Sequence, residues 1–190
     1  MGKKQQKAGA DWEQVVIEEC DQEWRRGRAK VERRKPGMNI LRSLGRGRFE
    51  CVHAKDRTVD FEGVLKGGVA IRFDAKRTQD PDRFDFALVS DEQLERMANL
   101  AAMGGVAFLY VLHAPSPLAR RHRWLLPVSD MARIAGVAHK RSRELLVNET
   151  RESVRWDALG EELEVKPSET WLDAALRLGR FGVFSGWGAA

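Results

Sequence analysis

No apolar run in the 190-residue chain approaches 18 residues, and its opening MGKKQQKAGA has no apolar stretch of the export type. Those absences argue against a membrane-spanning helix and a secretory leader and predict a soluble, intracellular protein. Gln6 breaks the myristoylation pattern that Gly2 could open. Cysteine is scarce: Cys20 and Cys51 lack Cys-x-x-Cys spacing, so neither a disulfide framework nor a zinc site is expected, and both read as buried thiols. His53, His113, His122 and His139 have no metal-ligand spacing and no Gly-x-Ser-x-Gly beside them, which leaves surface or capping roles. The run Gly45-Arg46-Gly47-Arg48 lacks the third glycine of a dinucleotide fingerprint, because position 50 is Glu, and reads as a loop. No repeat period and no linker divides the chain, so a single domain over 11–190 is expected behind a flexible basic tail at 1–10.

Charge is unevenly placed. The net charge is +5, yet residues 25–57 hold twelve Lys or Arg against Glu32, Glu50 and Asp56, a local +9 that leaves −4 elsewhere. Such a block is the footprint of a polyanion-binding surface, because neutralised phosphates release counterions. The alternative is a solvated basic face without a partner.

Periodicity supplies the elements. Trp12, Val16, Cys20 and Trp24, widened by Val15 and Ile17, predict a helix from Asp11, its cap, to about 26. FECVHA (49–54) reads as a short strand. TVDFEGVL and VAIRFDAK, separated by Lys66, Gly67 and Gly68, predict a hairpin. In its second strand Val69, Ile71, Phe73 and Ala75 share one face, and Ala70, Arg72, Asp74 and Lys76 the other. Ser90 and Gln93 form a capping-box pair opening a helix that Gly104 can end. Beyond it VAFLYVL reads as a buried strand, WLLPV as a short strand with Pro127 at an edge, and SDMARIAG as a brief helix. SVRWDAL suggests a strand, and SETWLDAALRLG an amphipathic helix ending at Gly179. ARRHRW (119–124) is a second basic patch, a DNA contact or a plain turn. Phe181, Phe184 and Trp187 suit docking on the domain or on a second subunit.

Asp60 and Asp74 on adjacent strands can share hard divalent cations, since magnesium takes a few carboxylate oxygens and keeps several waters. Lys76, two residues along the same face, can orient an attacking water and offset phosphate charge. Asp-x13-Asp-x-Lys on a hairpin therefore holds the parts of metal-assisted phosphodiester hydrolysis. The opposing reading is a solvated strand face.

TVDFEG (58–63), IRFDAKRT (71–78), EQLERM (92–97) and GGVAFLYVL (104–112), in this order, resemble the PD-(D/E)xK nuclease superfamily with its restriction-endonuclease-like fold. More closely they resemble the RecU-type Holliday junction resolvases, also described as penicillin-binding-protein-related factor A. The likeness covers about Trp12 to Val128, with Trp12-Glu13 and the RKPG of 34–37 fitting the first helix and the exit from the first strand. It implies an α/β fold with a central mixed sheet flanked by helices, in which 11–128 is the resolvase-like core and 129–190 a C-terminal extension. It implies Asp60 and Asp74 as magnesium or manganese ligands, Lys76 as the catalytic lysine, Glu13 reaching the site from helix one, and Gln93 holding the metal or its water. Glu13 is equally a first-turn glutamate favoured by the helix dipole, and Gln93 is explained by its capping box alone.

Arg25, Arg26, Arg28, Lys30, Arg33, Arg34, Lys35, Arg42, Arg46 and Arg48 would then grip backbone phosphates. Thr58 and Thr78 could join them, although strand propensity accounts for both. A two-fold junction cut symmetrically implies a homodimer acting on branched DNA in the cytoplasm of a bacterial or phage-infected cell. Three departures stand out. Asp74 replaces the usual Glu, Glu92 stands where His is frequent, and the stretch from Pro36 to Asp60, a projecting stalk in the family, reads as shorter. The rivals are a nuclease of the same fold acting on flaps, ends or duplex, and a non-catalytic DNA-binding protein.

Overall fold

The computed structural model describes residues 3–34, 38–45, 48–53, 59–116, 119–130 and 153–178. Helix α1 (Lys3–Arg25) begins well before Asp11. Lys, Gln and Ala propagate a helix readily, and Gly9 alone, at about 1 kcal/mol, does not stop one. Asp11 is therefore an interior residue and caps nothing. Trp12, Val16 and Cys20 are buried, but Trp24 is 57% exposed, whereas Glu23 is fully buried. A repeat of four drifts on a helix of 3.6 residues per turn, so over twelve residues the stripe rotates by about 120° and Trp24 leaves it. The exposed Trp24 ring instead carries the Lys30 ammonium 5.0 Å from its centroid.

Strands β1 (Ala29–Arg33), β4 (Phe61–Leu65), β5 (Ala70–Thr78), β7 (Val106–His113), β8 (His122–Pro127) and β10 (Glu164–Val165) form one mixed sheet in the order β1-β4-β5-β7-β8-β10. All neighbours are antiparallel except β5 and β7, whose crossover runs through helix α2 (Asp91–Ala102). The β4–β5 turn has Gly67 and Gly68 at φ 89° and 86°, a conformation that glycine tolerates without steric cost. Gly63 serves a different need: a Cβ there would lie 2.1 Å from the Lys30 carbonyl oxygen, so only glycine lets β1 close on β4.

Sheet parity divides the core in two. Phe61, Phe73 and Phe108 stack at 4.9 and 4.7 Å beneath α1 and helix α3 (Trp171–Leu178), whose Trp171 tilts against Phe73 at 5.2 Å. On the opposite face Leu109, Val111 and Leu126 pack under Leu94 and Met97 of α2. The expected capping box of Ser90 and Gln93 forms in full. Thr170 caps α3, accepting from the Asp173 amide at 3.3 Å; Gly179, Phe181, Phe184 and Trp187 lie outside the described residues.

Several elements depart from expectation. MNILRSLG forms strand β2 (Met38–Gly45), paired with β3 (Arg48–His53) as a separate two-stranded ribbon. Its lack of alternation hid it, for Leu41 and Leu44 are both exposed on a ribbon that is not covered. Positions 46 and 47 of the expected loop lie outside the described residues. SVRWDAL supplies only strand β9 (Ser153–Arg155), paired with β6 (Arg83–Asp85), before a 3-10 turn at Trp156–Ala158. Of SDMARIAG only the start is described, as a 3-10 turn over Val128–Asp130. His113 is buried, not superficial, stacked on Trp156 at 4.3 Å. Among the described residues no helix is long and apolar enough to cross a membrane.

Candidate active site

The pairing of Phe61 with Phe73 continues one step outward to set Asp60 beside Asp74. The Asp60 amide donates to Asp74 Oδ1 at 3.1 Å, and the Ala75 amide donates to Asp60 Oδ2 at 3.4 Å, so each acid is held by a backbone amide of the neighbouring strand segment. Asp74 is fully buried. From α2, Gln93 Nε2 donates to the same Oδ1 at 2.9 Å, while Gln93 Oε1 accepts from the Ser90 amide at 3.1 Å and from Lys76 Nζ at 3.4 Å. Lys76 Nζ is 2.5 Å from Asp74 Oδ2, an ion pair in which that buried oxygen still lacks a hydrogen bond of good angle.

The electrostatics follow from this crowding. Burial, then the Asp60 charge, pushes the Asp74 carboxyl up to about 7, with the Lys76 ammonium opposing. Glu13 approaches from α1, ion-paired to Arg33. Burial raises its carboxyl, Arg33 opposes, the Asp60 charge raises it further and Lys76 opposes again. Glu13 lies in the helix interior, far from the first turn, which removes the helix-dipole explanation. Among the described residues no group of three or more His, Cys, Asp or Glu side chains forms a ready metal cage. The pattern instead suits a hard divalent cation that takes one or two carboxylates and keeps its waters. A buried carboxylate oxygen lacking a hydrogen bond, beside a second carboxylate, is a donor set that a divalent cation would relieve.

The basic block divides by partner. Arg28 bonds buried Glu23 at 2.6 and 2.7 Å and Asp173 at 2.8 Å, which makes it a structural tie between α1 and α3. Arg26 joins Glu23, Lys30 pairs with Glu32, Arg34 with Glu62 and Arg42 with Glu50. Arg25 and Arg48 are exposed. Thr78 is buried, its Oγ1 accepting from the Asp80 amide at 3.2 Å to turn the chain out of β5. Lys35, Arg46 and Thr58 lie outside the described residues. Within ARRHRW, Arg123 is committed to Glu19 at 2.6 Å, while Arg120 and Arg121 are exposed. Arg72 was given no role from sequence. It shares the strand face of Asp74 and Lys76 and reaches Glu62 at 3.5 Å, a placement its even spacing had already signalled.

Residues 7–155 match the family RecU, Recombination protein U. No curated protein sequence matches the chain. Among solved structures, Hjc of Archaeoglobus fulgidus, a Holliday junction resolvase from an archaeal hyperthermophile, shares 14% identity. The match covers 84% of this chain and 92% of that one at a TM-score of 0.42, a likeness too loose to assign any residue. The family match takes in well over half the chain, and the motifs that resemble the resolvases lie inside it, so the chain belongs to the RecU family of Holliday junction resolvases.

Proposed function

We propose that the protein resolves four-way DNA junctions by paired, symmetric nicks, hydrolysing phosphodiester bonds with magnesium, for which manganese can substitute. The observation that supports this reading best is the gathering of Asp60, Lys76 and Gln93 around the buried Asp74 carboxylate. Asp60 and Asp74 would hold the cation. Bound there, it would neutralise phosphate charge and acidify a water. Lys76 orients the attacking water on the same face, and its ammonium offsets the charge that develops on the phosphate. Gln93 acts on the cation through Asp74, fixing the carboxylate's orientation. Glu13, held by Arg33, closes the site from α1 and adds a third negative charge beside Asp60.

Two copies, one per cut strand, fit the symmetry of the substrate. Residues 11–190 act as one nuclease domain in the cytoplasm of a bacterial or phage-infected cell. Arg25, Arg48, Arg34 and the ribbon of β2 and β3, which pair only with each other, would meet the branched DNA. A labelled mobile four-way junction, with duplex and flap controls, tests the reading in magnesium and in chelator. Symmetric nicks confined to the junction and lost in chelator are expected. Equal cutting of the controls would sink junction selectivity, and binding without cutting would sink the nuclease.

A further inference from the structure

A cavity of about 420 Å³ opens on the sheet face opposite Asp74 and Lys76. Strand parity places it there, because Arg77 points away from the face that Lys76 occupies, and Leu112 belongs to the core beneath α1. It is nevertheless close in sequence to the site on both sides: Arg77 follows Lys76, and Trp12, another wall, precedes Glu13. Its walls are apolar, from Trp12, Val15, Leu112 and Val165. Its charge is not. Arg77, Arg120, Arg121 and Arg123 line it against Asp11 and Glu164, which leaves an excess of two positive charges. Glu164 is engaged by His122 at 2.6 Å, and Arg123 by Glu19, so the exposed Arg120 and Arg121 at its margin set its character toward a ligand.

We propose that this cavity takes one unpaired nucleotide of the DNA strand next to the cleaved phosphate, an inference that rests on the nuclease reading. An apolar chamber of this size accommodates a base. Guanidinium groups at its mouth both neutralise phosphate and stack on base faces. The strand passes over the carboxyl ends of β5 and β7, so one nucleotide turns into the cavity as its neighbour's phosphate lies against Lys76. At a branch point the last base pair of an arm can lose stacking on one side, so releasing its base costs less there than inside continuous duplex.

The test uses full-length protein carrying Asp74→Asn, which holds DNA without cutting it, in 0.1 M NaCl with magnesium. Two further changes are made in that background: Arg120→Glu with Arg121→Glu, and Val15→Trp, which fills the cavity from a position already 43% exposed on α1. The double charge reversal is expected to weaken junction binding at least tenfold and to flatten its log–log salt dependence by roughly 1 to 2. Val15→Trp is expected to weaken binding about fivefold on intact junctions, with the loss cancelled when an abasic site replaces the captured nucleotide. Melting temperatures within about 2 °C of the parent confirm that both variants fold.

Junction affinities within twofold of the parent for both variants would overturn the nucleotide site. So would a labelled acidic peptide ending in Phe that binds the parent and not the variants while DNA affinity stays unchanged. If the Asp74→Asn parent binds duplex as tightly as junction, the junction reading fails separately. The cavity variants are then scored on single-stranded DNA, where the same losses are expected.

Discussion

Gln93 Nε2 donates to Asp74 Oδ1 at 2.9 Å from the third position of α2, with its own Oε1 accepting the Ser90 amide. One carboxamide thus completes a helix cap and aims the buried Asp74 carboxylate. Glu serves a capping box as well as Gln, but it offers Asp74 an acceptor in place of a donor. Gln93→Glu is expected to melt a few degrees lower without divalent cations, to recover in magnesium, and to cleave at least about tenfold more slowly. Gln93→Ala should lose the cap too and show no such recovery. Equal magnesium rescue of both, by thermal denaturation, would separate Gln93 from the cation site.

Asp74→Asn is expected to abolish cleavage while junction binding survives. It should also stabilise the cation-free protein. With the native carboxyl raised to about 7 against an ordinary 3.8, the native state binds more protons than the unfolded chain between those values. Stability therefore falls as pH rises through that window. At pH 8 the Asn variant should melt about 5 °C above wild type, and the gap should close near pH 4. A variant that melts lower at pH 8 would contradict the burial cost assigned to Asp74.

The same proton competes with the cation. Between pH 6 and 8 the apparent affinity for manganese, read by calorimetry, should rise about tenfold and then level off, once Asp74 is ionised. A pH-independent affinity would place the cation elsewhere.

Arg28 and Arg48 should part company. Arg28→Ala leaves Glu23 buried with Arg26 alone for charge, and is expected to cost about 3 kcal/mol, with junction affinity unchanged in the folded fraction. Arg48→Ala should leave the melting temperature alone and reduce the salt slope by about 1. A junction-binding loss for Arg28→Ala at full folding would return it to the DNA face.

The hairpin, α2 with its box, and the buried β7 were legible because their information is local: two-residue alternation, a cap pair and a run of apolar residues. Asp60, Asp74 and Lys76 were singled out from the same local pattern, and so was the shared face of Asp74 and Lys76. What escaped was settled by distant partners. Arg28 read as one cation among twelve until Glu23 and Asp173 closed on it. Trp24 was misread through a spacing of four that a real helix does not keep. Strand β2 left no trace because its apolar residues Leu41 and Leu44 are both exposed and keep no two-residue alternation.

Trp171 packs against both Phe73 and Phe108 only after 170 residues of chain precede it. A chain still being synthesised, with residues to Arg155 clear of the ribosome, has paired β4 with β5 but has neither β10 nor α3 to cover the aromatic stack. The acids would then stand on a sheet whose aromatic stack is covered by α1 alone, and the arginine tie from Glu23 would lack Asp173. A polypeptide ending at Arg155 is accordingly expected to expose its amides to rapid deuterium exchange and to leave junctions uncut. Helix α3 thereby supports, from the far face of the sheet, the strands that carry the two acids.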